Sequence, residues 1–286
     1  MTSAGMPYAE VIGDPIAHSK SPLIHRFWLE KLAIEGDYRR AHVPAEALPS
    51  YLAKCRADPD WRGCNVTIPH KQAVAPLLDR LDPLAARIGA VNIVTREGDE
   101  LVGSNSDAAG FLEPLRPLLA ERHLFRMARI LGAGGAARAV ADALWDEGFT
   151  LVFLARDAAK AEALRAAFDP ARTYVGDLAD FAVSTDFAFD DRAGMLDLVV
   201  NTTPLGMDGQ PPLRLDFSHV PPGAIVYDLV YAPLETPLLA EARARGHATF
   251  DGLDMLVGQA AIAFEYFFGA PAPREYDSEL REVLTR

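Results

Sequence analysis

Between an apolar run, Met127 to Leu131, and a helical pattern, Ala136 to Glu147, lies Gly132-Ala133-Gly134-Gly135-Ala136-Ala137, a G-x-G-x-x-A turn. In a strand–turn–helix unit the first glycine (Gly132) permits a tight turn and the second (Gly134) lets the backbone approach a pyrophosphate. Ala137, at the third position, is small enough for the helix to pack closely on the strand. The helix N-terminus then offers unpaired N–H groups and partial positive charge to phosphates. Thr150 to Leu154 supplies the next apolar run, where the second strand of a βαβ unit belongs. A lone glycine turn need bind nothing, but with strand, helix and following strand in place the ligand reading is the stronger one. The turn predicts a dinucleotide-binding domain, with Gly132, Ala133, Gly134, Gly135 and Ala136 against the pyrophosphate.

The remaining chain fits an α/β class, because short apolar runs alternate with helical patterns. In the N-terminal part, Tyr8 to Ile12 and Tyr38 to Val43 read as strands. Between them Leu23, Ile24, Phe27, Trp28 and Leu32 recur at helical spacing, and Gly36 is the expected stop. A third strand ends at Asn65-Val66-Thr67, with a helix expected after Pro69. Ala90 to Thr95 and Glu100 to Ser104, joined by Arg96-Glu97-Gly98-Asp99, read as a hairpin or strand pair. Beyond the glycine turn, Leu196 to Val200 and Ala224 to Leu229 are nearly continuous apolar runs, as expected of strands covered on both faces. A helix from about Leu253 to Phe268, then Pro271 and Pro273, then a short polar helix close the chain. Residues 169–192 carry no clear pattern.

Composition excludes several function classes. Lys and Arg number 28 against 40 Asp and Glu, a formal net charge of -12, and no basic run offers a nucleic-acid face. No apolar run reaches the roughly 18–20 residues that a membrane span requires, and the N-terminus lacks the pattern of a secretory signal. Two cysteines, Cys55 and Cys64, make neither a disulfide framework nor a C-x-x-C pair. A cytoplasmic location is the expectation. The histidines are scattered without ligand spacing, so no metal site is expected. With 286 residues and 50% hydrophobic content, two domains can each bury a core.

The choice of dinucleotide turns on the end of the second strand, where a carboxylate suits the ribose hydroxyls of NAD and a cation the 2′-phosphate of NADP. The chain reads Ala155-Arg156-Asp157-Ala158-Ala159-Lys160. Arg156 and Lys160 favour NADP; Asp157 is the contrary signal and keeps NAD as the alternative, and the plainest reading of all three is solvated loop charges.

Polar clusters follow the N-terminal strands, where open α/β sheets bind ligands. Ser21-Pro22 reads as an ordinary N-cap with proline at the first helical position. Ser19 has no such duty, and hydroxyls beside a helix N-terminus suit a carboxylate. Lys71 would sit in the first turn of the helix after Pro69, against the dipole, which points to some other contact, although taken by itself a surface lysine with a snorkelling stem is the readier reading. Asn92 interrupts an apolar strand. Asp107, in Asn105-Ser106-Asp107-Ala108, could simply cap the helix through Phe111 and Leu112.

Through these motifs and several further ones, the chain resembles the shikimate dehydrogenase family over essentially its whole length. The resemblance is carried, in order, by Ser19 to Pro22, Asn65-Val66-Thr67 with Lys71, Ala90-Val91-Asn92, Asn105 with Asp107, and the Gly132 turn. Val200-Asn201-Thr202-Thr203-Pro204-Leu205-Gly206-Met207, Tyr227-Asp228-Leu229-Val230-Tyr231 and Asp251-Gly252-Leu253 leading to Gln259 complete it. It implies reversible, NADP-linked reduction of 3-dehydroshikimate to shikimate, a step toward aromatic amino acids. It also implies that Ser19, Ser21 and Tyr231 bind the substrate carboxylate, and that Thr67, Asn92, Asp107 and Gln259 hold ring hydroxyls. Lys71 and Asp107 would be the catalytic pair, and Thr202 and Gly252 would join the dinucleotide site. The sequence departs from the family pattern at Ser106, Ala108, Ala155 and Asp157; the last two bear on the 2′-phosphate.

The pair is chemically sensible in its own right. Hydride addition to a ketone builds negative charge on oxygen, which needs a proton donor within hydrogen-bond reach. A lysine ammonium is such a donor at neutral pH, and a neighbouring carboxylate holds it in place.

The expected architecture is an α/β substrate domain (1–107 with 252–286) and a Rossmann domain (108–251) facing a cleft that closes over substrate, in a monomer or homodimer. Two rival readings are a quinate or quinate/shikimate dehydrogenase, possible with NAD, and a non-catalytic dinucleotide sensor. Ser21 leans to shikimate, since quinate-preferring relatives tend to carry threonine there; retention of Lys71 and Asp107 opposes the sensor. A glutamyl-tRNA reductase-like reading lacks a placed nucleophilic cysteine and a basic RNA face.

Overall fold

The computed structural model of the chain describes residues 5–189 and 194–286. The start of the N-terminal segment and the end of the unpatterned 169–192 stretch fall outside those residues. Two compact units result: residues up to Asp107 together with Leu256–Arg286, and Ala108–Met255.

The first unit is built on a mixed sheet. Its strands are β1 (Tyr8–Gly13), β2 (Asp37–His42), β3 (Trp61–Val66), β4 (Arg80–Leu81), β5 (Ile93–Glu97) and β6 (Glu100–Ser104), in the order β2-β1-β3-β5-β6-β4. β1 pairs in parallel with β2 and β3, whereas β5 runs antiparallel to both β3 and β6. The β5–β6 connection is the expected hairpin, with Gly98 at φ 63°. On one face of the sheet Ala9, Val11, Tyr38 and Ile93 pack with Ala263 and Phe267 from the helix Gly252–Phe268. On the other, Ile12, Cys64, Val66 and Val94 pack with Leu52 and Cys55 from Leu48–Ala57. The C-terminal ends of β1 and β3 thereby share one edge, from which the polar loops emerge.

The second unit holds six parallel strands: β7 (Phe125–Leu131), β8 (Thr150–Ala155), β9 (Thr173–Asp177), β10 (Met195–Asn201), β11 (Ile225–Asp228) and β12 (Thr249–Phe250). Their order, β12-β11-β10-β7-β8-β9, reverses direction between β7 and β10. Such a reversal is where doubly wound sheets open a crevice for ligands. β10 and β11 are buried almost throughout, which accounts for their unbroken apolar sequence.

Several local expectations are corrected. The first helix spans Ser21–Lys31 and stops before Gly36, with Ala33 taking the left-handed turn at φ 50°. Gly36 serves packing instead: a Cβ there would lie 3.1 Å from the Phe268 ring and 3.3 Å from the Pro7 carbonyl. No α-helix opens after Pro69. Residues 68–73 form consecutive turns, and a short 3-10 helix follows at Ala75–Leu77. Pro76 supplies no N–H and would clash within a helix begun near His70, so too few residues remain ahead of it for a stable helix. The strand expected from Ala90 starts only at Ile93, leaving Asn92 in the approach to it. Within the unpatterned stretch lies β9.

Candidate active site

Lys71 lies on the turns after β3, not in the first turn of a helix, so the dipole argument for its placement does not apply. Its position has another cause. His70, fully buried, donates from Nε2 to the Val43 carbonyl at 2.6 Å, and the Lys71 carbonyl accepts from Val91 N at 2.7 Å. Held on both sides, Lys71 directs its Nζ to Asp107 Oδ2 at 2.6 Å. The two side chains are 15% and 4% exposed, so the pair is largely withdrawn from water. Burying charges this far is costly unless each is paired and hydrogen-bonded.

Asp107 does not act as its helix's N-cap. Its own backbone N–H donates to Asn105 Oδ1 at 2.9 Å, and Asn105 is in turn anchored by donation to the Ala90 carbonyl at 2.9 Å. Asn105 thus takes the capping duty and frees the Asp107 carboxylate, whose second oxygen accepts from Asn92 Nδ2 at 3.0 Å. The same amide lies 3.0 Å from Ser106 Oγ and 3.3 Å from Gln259 Oε1, while Asn92 Oδ1 accepts from Ser106 N at 2.8 Å. Ser106 Oγ donates to the Gln259 carbonyl at 3.0 Å, and Gln259 Nε2 donates to the Leu256 carbonyl at 2.8 Å. Behind them, Tyr38 donates to Asn65 Oδ1 at 2.6 Å and Asn65 Nδ2 to the Asn92 carbonyl at 3.2 Å. Lys71, Asn92, Asp107 and Gln259 are therefore brought together in one network. Thr67, half-buried, directly follows β3 and bonds through its backbone N to the Ile12 carbonyl at 2.9 Å.

Ser19 and Ser21 lie side by side, with Ser19 Oγ 3.2 Å from Ser21 Oγ. Here too the local reading is corrected. Lys20 occupies the cap position without a side-chain cap, and the Ser21 N–H donates to Ser19 Oγ at 3.3 Å. Ser19, not Ser21, meets the helix start. Arg40, from β2, grips the Ser19 carbonyl with Nε and Nη2 at 2.9 and 2.6 Å. Sequence reasoning overlooked Arg40, Asn65, Asn105 and Ser106 as supports. For Arg40 a usable signal was alternation along β2, which sets it on the face of Tyr38 near the strand's end.

In the second unit, Gly132 takes φ 119°, and a Cβ there would lie 2.5 Å from Thr202 Oγ1. Thr202 Oγ1 donates to the Leu131 carbonyl at 2.7 Å, so Thr202 backs the turn. Gly134 begins the helix Gly135–Asp146 with no side-chain cap, no acidic residue in the first turn, and nothing within 4 Å of its Cβ position. Open space above free first-turn N–H groups fits a pyrophosphate. Gly135 and Ala136 open that helix, and Ala133 lies within the turn. Asp157 is the N-cap of Ala158–Arg165, accepting from Lys160 N at 3.2 Å, and its other oxygen lies 3.6 Å from Lys160 Nζ. That carboxylate is engaged by its own helix, whereas Arg156 is exposed and makes no ion pair among the described residues. Gly252 is required by crowding, since a Cβ there would lie 2.3 Å from the Leu229 carbonyl. Tyr231, half-buried, belongs to this unit and follows β11.

At the strand ends Asp228, fully buried, accepts from Asn201 Nδ2 at 2.8 Å, Val230 N at 3.0 Å and Thr236 Oγ1 at 2.7 Å. Burial pushes its carboxyl up, and the bonds from Thr236, Val230 and Asn201 pull it back. Asn201 Oδ1 also accepts from Thr203 N and Oγ1, which ties the Thr202 loop to β11. Among the described residues no group of three or more His, Cys, Asp or Glu could hold a metal ion, and no helix is long and apolar enough to cross a membrane.

Residues 11–94 match the family described as shikimate dehydrogenase substrate binding domain, and residues 252–277 the shikimate 5'-dehydrogenase C-terminal domain. A protein of Sphingopyxis alaskensis named shikimate dehydrogenase (NADP(+)) is 54% identical over 281 residues, 97% of each chain. One of the same name from Methylobacterium radiotolerans is 47% identical, covering 99% of this chain and 98% of its own. The crystal structure of shikimate 5-dehydrogenase from Thermus thermophilus, in complex with NADP(H) and shikimate, superimposes with a TM-score of 0.81. It is 36% identical, over 98% of this chain and 100% of that one.

Proposed function

The chain belongs to the shikimate dehydrogenase family, and from that premise we infer that it interconverts 3-dehydroshikimate and shikimate with NADP, through the buried Lys71–Asp107 pair. The relatives' names and the bound ligands of the Thermus structure support this reaction over the quinate, NAD-linked and non-catalytic readings. The observation that carries the site assignment is the 2.6 Å contact between Lys71 Nζ and Asp107 Oδ2, set among Asn92 and Gln259.

When bound, the nicotinamide supplies a hydride to the ring ketone or takes one from the alcohol. In the direction of reduction, the Lys71 ammonium gives a proton to the oxygen as it gains charge. Asp107 keeps that ammonium oriented and, with Asn92, Thr67 and Gln259, accepts or donates hydrogen bonds to ring hydroxyls. In the reverse direction Lys71 takes the proton back. Ser19, Ser21 and Tyr231 receive the carboxylate. On the cofactor side, the turn from Gly132 to Ala136 with Thr202 and Gly252 would hold the dinucleotide, and Arg156, aided by Lys160, the 2′-phosphate. Asp157 keeps its charge while it caps its helix and lies 3.6 Å from Lys160 Nζ, so this reading rests on Arg156 as the cation that meets the 2′-phosphate. A cytoplasmic location suits the two free, buried thiols, Cys55 and Cys64.

Steady-state kinetics with shikimate or quinate, each with NADP and NAD, test the reaction, and Lys71→Ala tests the pair. Shikimate with NADP should give the highest kcat/KM. Loss of the general acid should lower kcat by about 10²–10⁴; a variant within about threefold of the parent would sink the assignment.

A further inference from the structure

We infer that Arg40 is a positioning residue that both sets the Ser19–Ser21 hydroxyl pair and biases it toward anionic substrates. The inference rests on the reading that those two hydroxyls receive the substrate carboxylate.

Along β2, side chains alternate between faces. Tyr38 is fully buried, packed with Ile16 and Phe267, and two residues later Arg40 leaves the same face into the loop that carries Ser19. Both Nε and Nη2 donate to one acceptor, the Ser19 carbonyl, at 2.9 and 2.6 Å. A planar two-pronged grip fixes the Ser19–Lys20 peptide more tightly than a single flexible donor does. The hydroxyl of that same residue accepts the Ser21 N–H and touches Ser21 Oγ. Carbonyl, hydroxyl and helix start thus move as one piece, and the guanidinium holds it.

The bias toward anions comes from charge. The chain carries a formal net charge of -12, so carboxylates are plentiful. Arg26, Arg39, Arg56 and Arg80 each find one. Arg39, the next residue back and on the opposite face, is held by Asp37 at 2.8 Å. Arg40 makes no ion pair among the described residues, and neither does Lys20, whose ammonium donates to the Leu284 carbonyl. Two cations beside the hydroxyl pair therefore have neutral oxygens as their hydrogen-bond partners. A guanidinium satisfied by a carbonyl keeps its net charge, and that field reaches an anion docking on Ser19 and Ser21. Arg40 is exposed, so solvent and salt screen the effect to a modest size.

The test compares shikimate with its uncharged methyl ester in the parent enzyme and in Arg40→Met, Arg40→Lys and Ser19→Ala. Arg40→Met should raise KM for shikimate about twofold to fivefold, with kcat within about twofold, and should lower kcat/KM for the ester by a smaller factor, the share of the loss that belongs to positioning. Arg40→Lys should recover part of the loss, because it keeps the charge and gives up the fork. The parent's preference for shikimate over the ester should shrink at high ionic strength. Equal losses on acid and ester in Arg40→Met would reduce Arg40 to scaffolding and overturn the inference. If Ser19→Ala loses the preference while Arg40→Met keeps it, the carboxylate site stands and the role of Arg40 falls. If Ser19→Ala keeps the preference, the carboxylate assignment itself fails, and the inference with it.

Discussion

Replacing Asp107 by asparagine preserves shape and removes one acceptor. In the parent the two carboxylate oxygens accept from Lys71 Nζ at 2.6 Å and Asn92 Nδ2 at 3.0 Å. An amide has one acceptor and one donor group. Turned one way, its NH₂ faces the Lys71 ammonium; turned the other, it faces the Asn92 amide. Either orientation sets donor against donor in a pocket where Asp107 is 3% exposed. A hydrogen bond to a charged group contributes about 1.5–3 kcal/mol, and a stranded buried donor costs about 1–3 kcal/mol. Taking the lower ends gives about 2.5 kcal/mol, or about 10²-fold in rate, and mid-range values about 10³-fold. Asp107→Asn should therefore lower kcat for 3-dehydroshikimate reduction by about 10²–10³, with KM for NADPH little changed. The assay is NADPH absorbance under saturating substrate, with thermal unfolding run on the same preparation. A folded Asp107→Asn enzyme with kcat within about threefold of the parent would refute the reasoning, because the geometry leaves asparagine no harmless orientation.

Three further outcomes follow from the structure. Gly132→Ala places a methyl 2.5 Å from Thr202 Oγ1 at φ 119°, whereas Gly134→Ala meets nothing within 4 Å; calorimetry should show a lower Tm for the first alone, and NADPH titration weaker binding for both. Arg156→Glu should raise KM for NADP about 10–100-fold, the worth of a charge-assisted phosphate contact, and leave the weak NAD reaction nearly unchanged; equal effects on both would remove Arg156 from the 2′-phosphate site. His25 lies stacked on Tyr38 at 3.9 Å with neither ring nitrogen hydrogen-bonded, and burial pushes its imidazole down to about 3. The unfolded chain then binds a proton that the native chain refuses, so stability falls by about 1.4 kcal/mol per unit as pH drops from about 6.5 toward 3, with no slope from this group above 6.5. His25→Phe should flatten that part of a denaturant-derived stability profile; an unchanged slope would contradict it.

What the sequence alone determined is the set of features that depend on near neighbours in the chain. The second unit's parallel strands were legible at β7, β8, β10 and β11, because strands covered on both faces read as unbroken apolar runs. The dinucleotide turn was legible because glycine spacing answers a local backbone demand. The shikimate dehydrogenase resemblance rested likewise on short motifs in order. β9 was missed, since Thr-Tyr-Val-Gly-Asp holds only two adjacent apolar residues and ends on Gly-Asp, and β4 and β12 are two-residue strands.

Tertiary structure decided which side chain does which task. Asp107 and Asp157 look alike as helix-starting aspartates, yet Asn105 relieves the first of capping while the second has no such relief. Ser19, not Ser21, meets the helix start, and Arg40 enters the site only because β2 lies parallel beside β1 in a register that pairs Arg40 with Val11. The helix expected after Pro69 gives way to turns pinned by His70 on Val43. In each case the deciding contact joins residues far apart in the chain or weighs one local partner against another. Local periodicity carries no record of such competition; only the packed register of strands and helices resolves it.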